Sequence, residues 1–383
     1  MKILCLDQFG ELGGAQRCLL DLIPAMAERG WSIHVAAPAG GQLAERAIAL
    51  HATVDPIRCG PYSSGRKTLA DMARFLADAP RLAGEIRGLA RRYRPDLIYV
   101  NGPRLLPAAA LAVANAAHRG PRVLFHSHSL LGGPALRLAG RSLAALSAAI
   151  VASCRFVATP LLPYCGDCGI RVVFNGVRRM PLPSRPSDGG EFRIGAIGRI
   201  SPEKGQADFL RAARILHNVA PQCRFLICGA PLFSNPAAMR YCAELEALAE
   251  GLPVEFAGWT EDVEGMLATL DLLVVPSASI DATPRVILEG FAAGVPVMAF
   301  ASGGIPEIVE HGVTGFLVEE RSPKALAFAM LDALEAPARR REMAAKARAK
   351  AHTEFSLERY RAAMIDTMAA HGVAPRAPAP PGC

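Results

Sequence analysis

Two acids, Asp281 and Glu289, stand eight positions apart in the stretch PSASIDATPRVILEGFAAGVPV. The run LLVV from Leu272 to Val275 reads as a short buried strand closed by Pro276, which leaves Asp281 in the loop that follows. Pro284 suits the first turn of a helix, where a missing N–H costs little, and Gly294 suits its C-terminal stop. A further strand is expected over Val295 to Phe300. One acid thus lies at the carboxyl end of a strand and the other inside the next helix, on the edge where open parallel sheets bind ligands. The plainer role for Asp281 is to cap that helix.

Two cations show a related pattern in AIGRISPEKGQADFL. Gly198 closes a strand, Arg199 and Lys204 flank a turn, and Gly205 precedes a helix with Phe209, Leu210 and Ala213 facing inward. A guanidinium can fork two phosphate oxygens, an ammonium adds a compact charge, and a helix N-terminus adds N–H donors. Either cation alone would read as a solvated surface residue; the pair suits a diphosphate leaving group. Gly13 and Gly14 follow the first strand in the same way, and their backbone would let an anion approach a helix end. A dinucleotide fingerprint does not fit them, because the glycine spacing is wrong and Ala36-Ala37-Pro38 stands where an acid should close the second strand. Gly303 and Gly304 form a third strand-to-helix glycine turn.

Strand alternation puts His126 and His128 on one side of their strand. No carboxylate cluster accompanies them, so no metal site is expected. The pair Cys165 and Cys168 forms a lone C-x-x-C without the second pair that zinc needs, and reads as two incidental thiols.

Positioning these groups takes two alternating series of strands and helices. The first series has strands near Ile3–Leu6, Ile33–Ala37, Leu97–Asn101, Arg122–His126, Ile150–Ser153 and Val172–Phe174, with a helix from about Ala15 to Arg29. The second has strands near Ile194–Ile197, Arg224–Cys228, Val254–Ala257, Leu272–Val275, Val295–Phe300 and Phe316–Val318. Such alternation predicts an α/β protein with a parallel sheet in each half. At 383 residues the chain exceeds one ordinary core, so two domains are expected. We divide it into residues 1–180, a linker over 181–190, and 191–354. Residues 339–368 read as helical, with the part near 355–370 packing back on the first domain, and 373–383 as a disordered tail.

With 51% hydrophobic and 20% charged residues the composition is that of a globular protein, and the net charge of +7 suits an anionic ligand or an acidic membrane surface. Nothing reads as a signal peptide or a run of about twenty apolar residues. The ten scattered cysteines suit a reducing, cytoplasmic setting.

The motifs GRISPEKG, FAGWTEDV, PSASIDATPRVILEGFAAGVPV and SGGIPEIVEHGVTGFLV, with GGAQRCLLDL, PDLIYVNG and FNGV in the first half, resemble glycosyltransferase family 4. Coverage runs from about Lys2 to the final helix. The resemblance implies the GT-B fold, two Rossmann-like domains facing across a cleft. It implies sugar transfer from a UDP- or GDP-linked donor to a saccharide or lipid-linked acceptor, with retention and without a required metal or resident cofactor. By that resemblance Arg199 and Lys204 clamp the diphosphate, with Gly14 facing it, and Glu289 binds the ribose hydroxyls. Asp281 stands where the family usually has glutamate near the transferred sugar, and lacks the glycine common after it. His128 matches the histidine that reaches the sugar, with His126 the alternative. The donor site would also take in Gly13, Gly198, Gly303 and Gly304, and the base would lie near Gly229–Ala230 and Gly258–Trp259.

Basic residues thicken over Arg66, Lys67, Arg74, Arg81, Arg87, Arg91 and Arg92, interleaved with apolar ones, which suggests either a solvated helix face or peripheral contact with an anionic membrane. No nucleic-acid partner is expected. The rival functions are a non-catalytic donor-binding scaffold and an epimerase or phosphorylase on the same fold. Polysaccharide or glycolipid synthesis of bacterial type is the expected setting.

Overall fold

The computed structural model describes all residues except 61–68, 114–119, 167–168, 183–189, 232–235 and 373–383. Arg66, Lys67, Cys168, most of the expected linker and the expected tail therefore lie outside the described residues. The chain divides into two compact units, Met1–Val173 with the segment from Tyr360 onward, and Phe174–Arg359.

The first unit carries strands β1 (Lys2–Asp7), β2 (Ser32–Ala37), β3 (Thr53–Pro56), β4 (Leu97–Asn101), β5 (Arg122–Ser127), β6 (Ala149–Ala152) and β7 (Ile170–Val172). All pair in parallel, in the order β3-β2-β1-β4-β5-β6-β7. Helices α1 (Gly14–Glu28), α2 (Gln42–Ala49), α3 (Leu69–Tyr93), α4 (Leu106–Val113), α5 (Gly133–Leu146) and α6 (Arg155–Ala158) connect them. Every residue of β4 is buried, as expected of a strand covered on both faces. The edge strand β3 has no such apolar run, and that is why it escapes a reading of hydrophobic pattern.

The second unit carries β8 (Phe192–Ile197), β9 (Cys223–Cys228), β10 (Val254–Gly258), β11 (Leu272–Val275), β12 (Val297–Phe300) and β13 (Phe316–Val318). The order is β10-β9-β8-β11-β12-β13, again parallel. Its helices are α7 (Gln206–His217), α8 (Pro236–Ala249), α9 (Val263–Ala268), α10 (Arg285–Ala293), α11 (Pro323–Glu335) and α12 (Pro337–Thr353). The last helix, α13 (Leu357–Gly372), starts in this unit and continues into the first.

One boundary differs from the sequence expectation. The change of unit falls at Val173/Phe174, ahead of residue 180. The reason is packing: Val177 and Met180 are buried in the second core, Phe174 meets Phe355 edge-on at 5.5 Å, and Asn175 Nδ2 donates to Thr283 Oγ1 at 2.9 Å. Residues 339–368 fall in two helices, α12 and α13, and the second begins at Leu357, close to the 355 expected for the final helix. Phe355 turns into the core between α12 and α13, Val177 pairs with the break through Phe355 O, and Ser356 Oγ accepts the Arg359 N–H at 3.2 Å to start the second helix. Within the first unit Tyr360 Oη donates to Cys18 O, Arg361 Nε to Asp21 O, and Arg171 to Thr367 Oγ1, which ties α13 to that body.

Candidate functional site

In the second sheet the strand order reverses between β8 and β11, and the carboxyl ends of strands at such a reversal are where open α/β sheets bind ligands. The ladder continues past the strands: Gly198 N–H donates to Cys228 O, Ile200 N–H to Ala230 O, and Gly229 N–H to Gly258 O at 2.7 Å. Arg199 is thus held from both sides, and Gln206 Nε2 donates to its carbonyl at 2.8 Å. Its half-buried guanidinium has no hydrogen bond or ion pair among the described residues. A side chain so placed leaves its donors available at the sheet edge.

Lys204 ends a short 3-10 turn, Pro202–Lys204. Its Nζ donates to Asp281 Oδ2 at 2.5 Å, and Ser277 Oγ donates to the same oxygen at 3.0 Å. Asp281 therefore serves as counter-ion rather than cap. Helix α10 has Pro284 at its N-cap with no side-chain hydrogen bond, so Pro284 precedes the first turn rather than lying in it. Gly294 stops the helix in the left-handed region, at φ 71°.

Close backbone packing locks these loops together. Gly205 has φ +73°, and a Cβ there would stand 1.8 Å from Pro276 O. Gly303 has φ +60°, and a Cβ there would stand 2.0 Å from Asp281 O, which accepts the Gly304 N–H at 2.9 Å. Glycine is required at both positions on conformational and steric grounds alike. Ser302 Oγ adds a bond to Ser279 O, and Ser279 N–H donates to Glu203 O. The loops after β8, β11 and β12 thus form one assembly carrying Gly198, Arg199, Lys204, Asp281, Gly303 and Gly304.

Glu289 is half-buried on α10, with Oε1 4.0 Å from Arg285 Nε one turn earlier. Trp259 follows β10 at the far edge of the sheet and is 45% exposed, away from the strand reversal. The expected strand from Val295 begins at Val297.

The first sheet reverses between β1 and β4, and there Asp7 and Asn101 face each other in register. Both are fully buried. Asp7 Oδ1 accepts from Gln16 Nε2 at 2.8 Å and from Phe9 N–H at 3.0 Å, while Oδ2 accepts from Asn101 Nδ2 at 2.6 Å. Burial pushes the Asp7 carboxyl up to about 6, against the opposing pull of the Asn101, Phe9, Gln16 and Gln8 donors. Gln16 in turn accepts the Gly13 N–H at 3.1 Å, closing the start of α1, where Gly13 is the N-cap and Gly14 the first helical residue.

Beyond Asn101 the network reaches both histidines. His128 Nε2 lies 2.7 Å from Asn101 Oδ1, and Tyr99 Oη lies 3.2 Å from the same oxygen and 2.6 Å from His126 Nδ1. The two imidazoles stand 3.8 Å apart, on the same side as alternation requires. His126 is fully buried, and burial, then His128, hold its proton affinity well below the usual histidine range. His128 is only half-buried and lies just past the strand end.

Sequence reasoning passed over Asp7, Gln16, Tyr99, Asn101 and Ser277. The available signal was a polar residue ending an apolar strand, as in KILCLD and LIYVN. Among the described residues no three His, Cys, Asp or Glu side chains gather as metal ligands, and no helix is long and apolar enough to cross a membrane. Cys165 Sγ donates to Leu162 O. The described part of the basic stretch lies on α3, where Arg81 pairs with Asp78, Arg92 with Asp55, and Arg87 donates to Ala112 O and Leu111 O. Those three cations are engaged with their neighbours.

Residues 12–179 match the family described as Glycosyltransferase Family 4, and residues 182–350 match Glycosyl transferases group 1. Among curated relatives, the amylovoran biosynthesis glycosyltransferase AmsK of Erwinia amylovora is 29% identical over 172 residues, 43% of this chain and 41% of that protein. The GDP-mannose-dependent monoacylated alpha-(1-6)-phosphatidylinositol monomannoside mannosyltransferase of Corynebacterium glutamicum is 32% identical over 175 residues, 43% of this chain and 44% of that protein. The matches span less than half the length of these relatives. The crystal structure of Anabaena HepE in complex with UDP and glucose superposes with TM-score 0.81 at 26% identity, covering 97% of this chain and 100% of that one.

Proposed function

The chain belongs to glycosyltransferase family 4, with the two Rossmann-like domains of the GT-B fold, and from that premise we propose that it transfers a sugar from a nucleotide diphosphate sugar to a saccharide or lipid-linked acceptor. The observation that carries the proposal is Arg199 with Lys204 on one loop at the reversal of the second sheet, the arginine unpaired among the described residues and the lysine held by Asp281. Cations at that edge stabilise the charge that grows on the departing diphosphate as the glycosidic bond breaks. The N-terminus of α7, beyond Gly205, adds N–H donors for the same charge. An incoming phosphate competes with Asp281 for Lys204, so donor binding exchanges one anion for another rather than stripping a solvated lysine.

Glu289 is our candidate for the ribose hydroxyls, since a carboxylate can accept from two vicinal donors. His128, rather than the sealed His126, is our candidate for contact with the transferred sugar. We assign retention to attack on the leaving-group face, with the departing phosphate taking the acceptor's proton; no metal or resident cofactor is invoked. Both nucleobases stay in view, because one relative is named for GDP-mannose and HepE was crystallised with UDP. We place the reaction in bacterial-type polysaccharide or glycolipid synthesis, on the cytoplasmic side.

A thermal-shift panel of UDP- and GDP-sugars tests the reading. A true donor at a hundred times its Kd should stabilise the fold by about 2.7 kcal/mol. Lys204→Ala should then lower transfer by roughly 10²- to 10³-fold. Stabilisation by no nucleotide sugar, or near-normal transfer by that variant, overturns it. Product analysis separates the rivals: an epimerase or phosphorylase needs no sugar acceptor, and a scaffold consumes no donor.

A further inference from the structure

We propose that Asp7 and Asn101 are positioning residues for His128, fixing its ring plane and making Nε2 its protonated nitrogen. The inference rests on the reading that His128 meets the transferred sugar, but its core is a statement about hydrogen-bond direction inside one unit.

The direction follows from acceptors that cannot donate. Asn101 Nδ2 lies 2.6 Å from Asp7 Oδ2 and 3.1 Å from Ala15 O. An ionised carboxylate and a backbone carbonyl both demand an N–H, so the amide nitrogen has to occupy that end. Its Oδ1 is thereby turned toward His128 Nε2 at 2.7 Å, where it can only accept. His128 must donate from Nε2, and in the neutral ring Nδ1 then carries the lone pair.

The rest of the network prevents slippage. Asp7 is sealed from water and anchored by Gln16 and the Phe9 N–H as well as by Asn101. The Tyr99 hydroxyl bridges the same Asn101 oxygen and His126 Nδ1, and the His126 ring lies against His128 at 3.8 Å. The carboxylate, amide and imidazole come from β1, β4 and the end of β5, three neighbouring strands of one sheet. A ring backed by a rigid sheet in this way keeps its orientation without a ligand, which is what a group meeting a reacting sugar needs.

The test is nitrogen-15 spectroscopy of the full chain labelled at histidine, with the His128 signal assigned by its loss in His128→Gln. At pH 7.5 wild type should show His128 as the Nε2–H tautomer with a slowly exchanging Nε2–H resonance. In Asn101→Ala that resonance should vanish and the tautomers mix, while nucleoside diphosphate affinity is kept and kcat for transfer falls by roughly a hundredfold. An Nδ1–H tautomer in wild type overturns the inference, and needs no variant to fold. So does a persistent Nε2–H resonance in Asn101→Ala with an unchanged near-ultraviolet spectrum. Loss of the resonance with transfer intact would instead uphold the positioning and remove His128 from the reaction.

Discussion

Between β1 and β4 a carboxylate is sealed in the sheet and surrounded by neutral dipoles; between β8 and β11 a carboxylate is half-exposed and paired with a lysine. Both acids stand at the reversal of a parallel sheet, yet only one is built to exchange partners. In the proposed function Asp281 releases Lys204 to an incoming anion, from a partly buried pair whose side chains are 31% and 18% exposed. Asp7 gives up nothing to solvent, and its proton affinity is set by burial against four donors. The first unit thus holds a closed, preorganised network, and the second a partly exposed ion pair at its sheet edge. The same strand order over six strands supports both because the strand ends differ: glycine and cations after β8, β11 and β12, a closed amide network at the ends of β1 and β4.

The contrast can be attacked first at its steric base. Gly303→Ala forces a side chain into the left-handed region and against Asp281 O, so unfolding should become easier by at least about 2 kcal/mol, with Lys204 released from its partner. Denaturant melts measure it, and a loss below ~0.5 kcal/mol would mean the loops of the second unit are not interlocked.

The sealed acid is tested by pH. Because burial raises Asp7 to about 6 from an ordinary 3.8, its contribution to stability is full below about pH 4 and lost as pH rises through 6. Asp7→Asn removes that slope, so the variant should gain stability relative to wild type between pH 4 and 6 and hold the difference above. A constant gap between the two proteins across that range would place Asp7 in contact with water.

The smallest effect concerns the ion pair itself. Asp281→Asn keeps the shape but not the charge, and should lower turnover by roughly tenfold, while Asp281→Glu should stay closer to wild type. Equal rates for all three would show that the counter-ion has no part in presenting Lys204.

Strand positions and the glycine turns were legible because they depend on local pattern: apolar runs mark strands, and Gly205, Gly294 and Gly303 occupy backbone regions that other residues avoid. The cations were legible for the same reason, lying within one short turn of each other. The division at Val173 was not, since Phe174, Val177 and Met180 are drawn into the second core by partners far along the chain. The start of the final helix near 355 was legible, but not its cause, the Phe355 ring turned into the second core.

By itself the sequence determined the alternating α/β plan, the glycine loops and the types of charged group at the second sheet's edge, because each rests on residues adjacent in the chain. Only the tertiary structure decided that Lys204 finds Asp281, and that Asp7 meets Asn101 across 94 positions. Those partners are chosen by strand order and register, and hydrogen bonding between distant strands leaves no mark on the local spacing of residues.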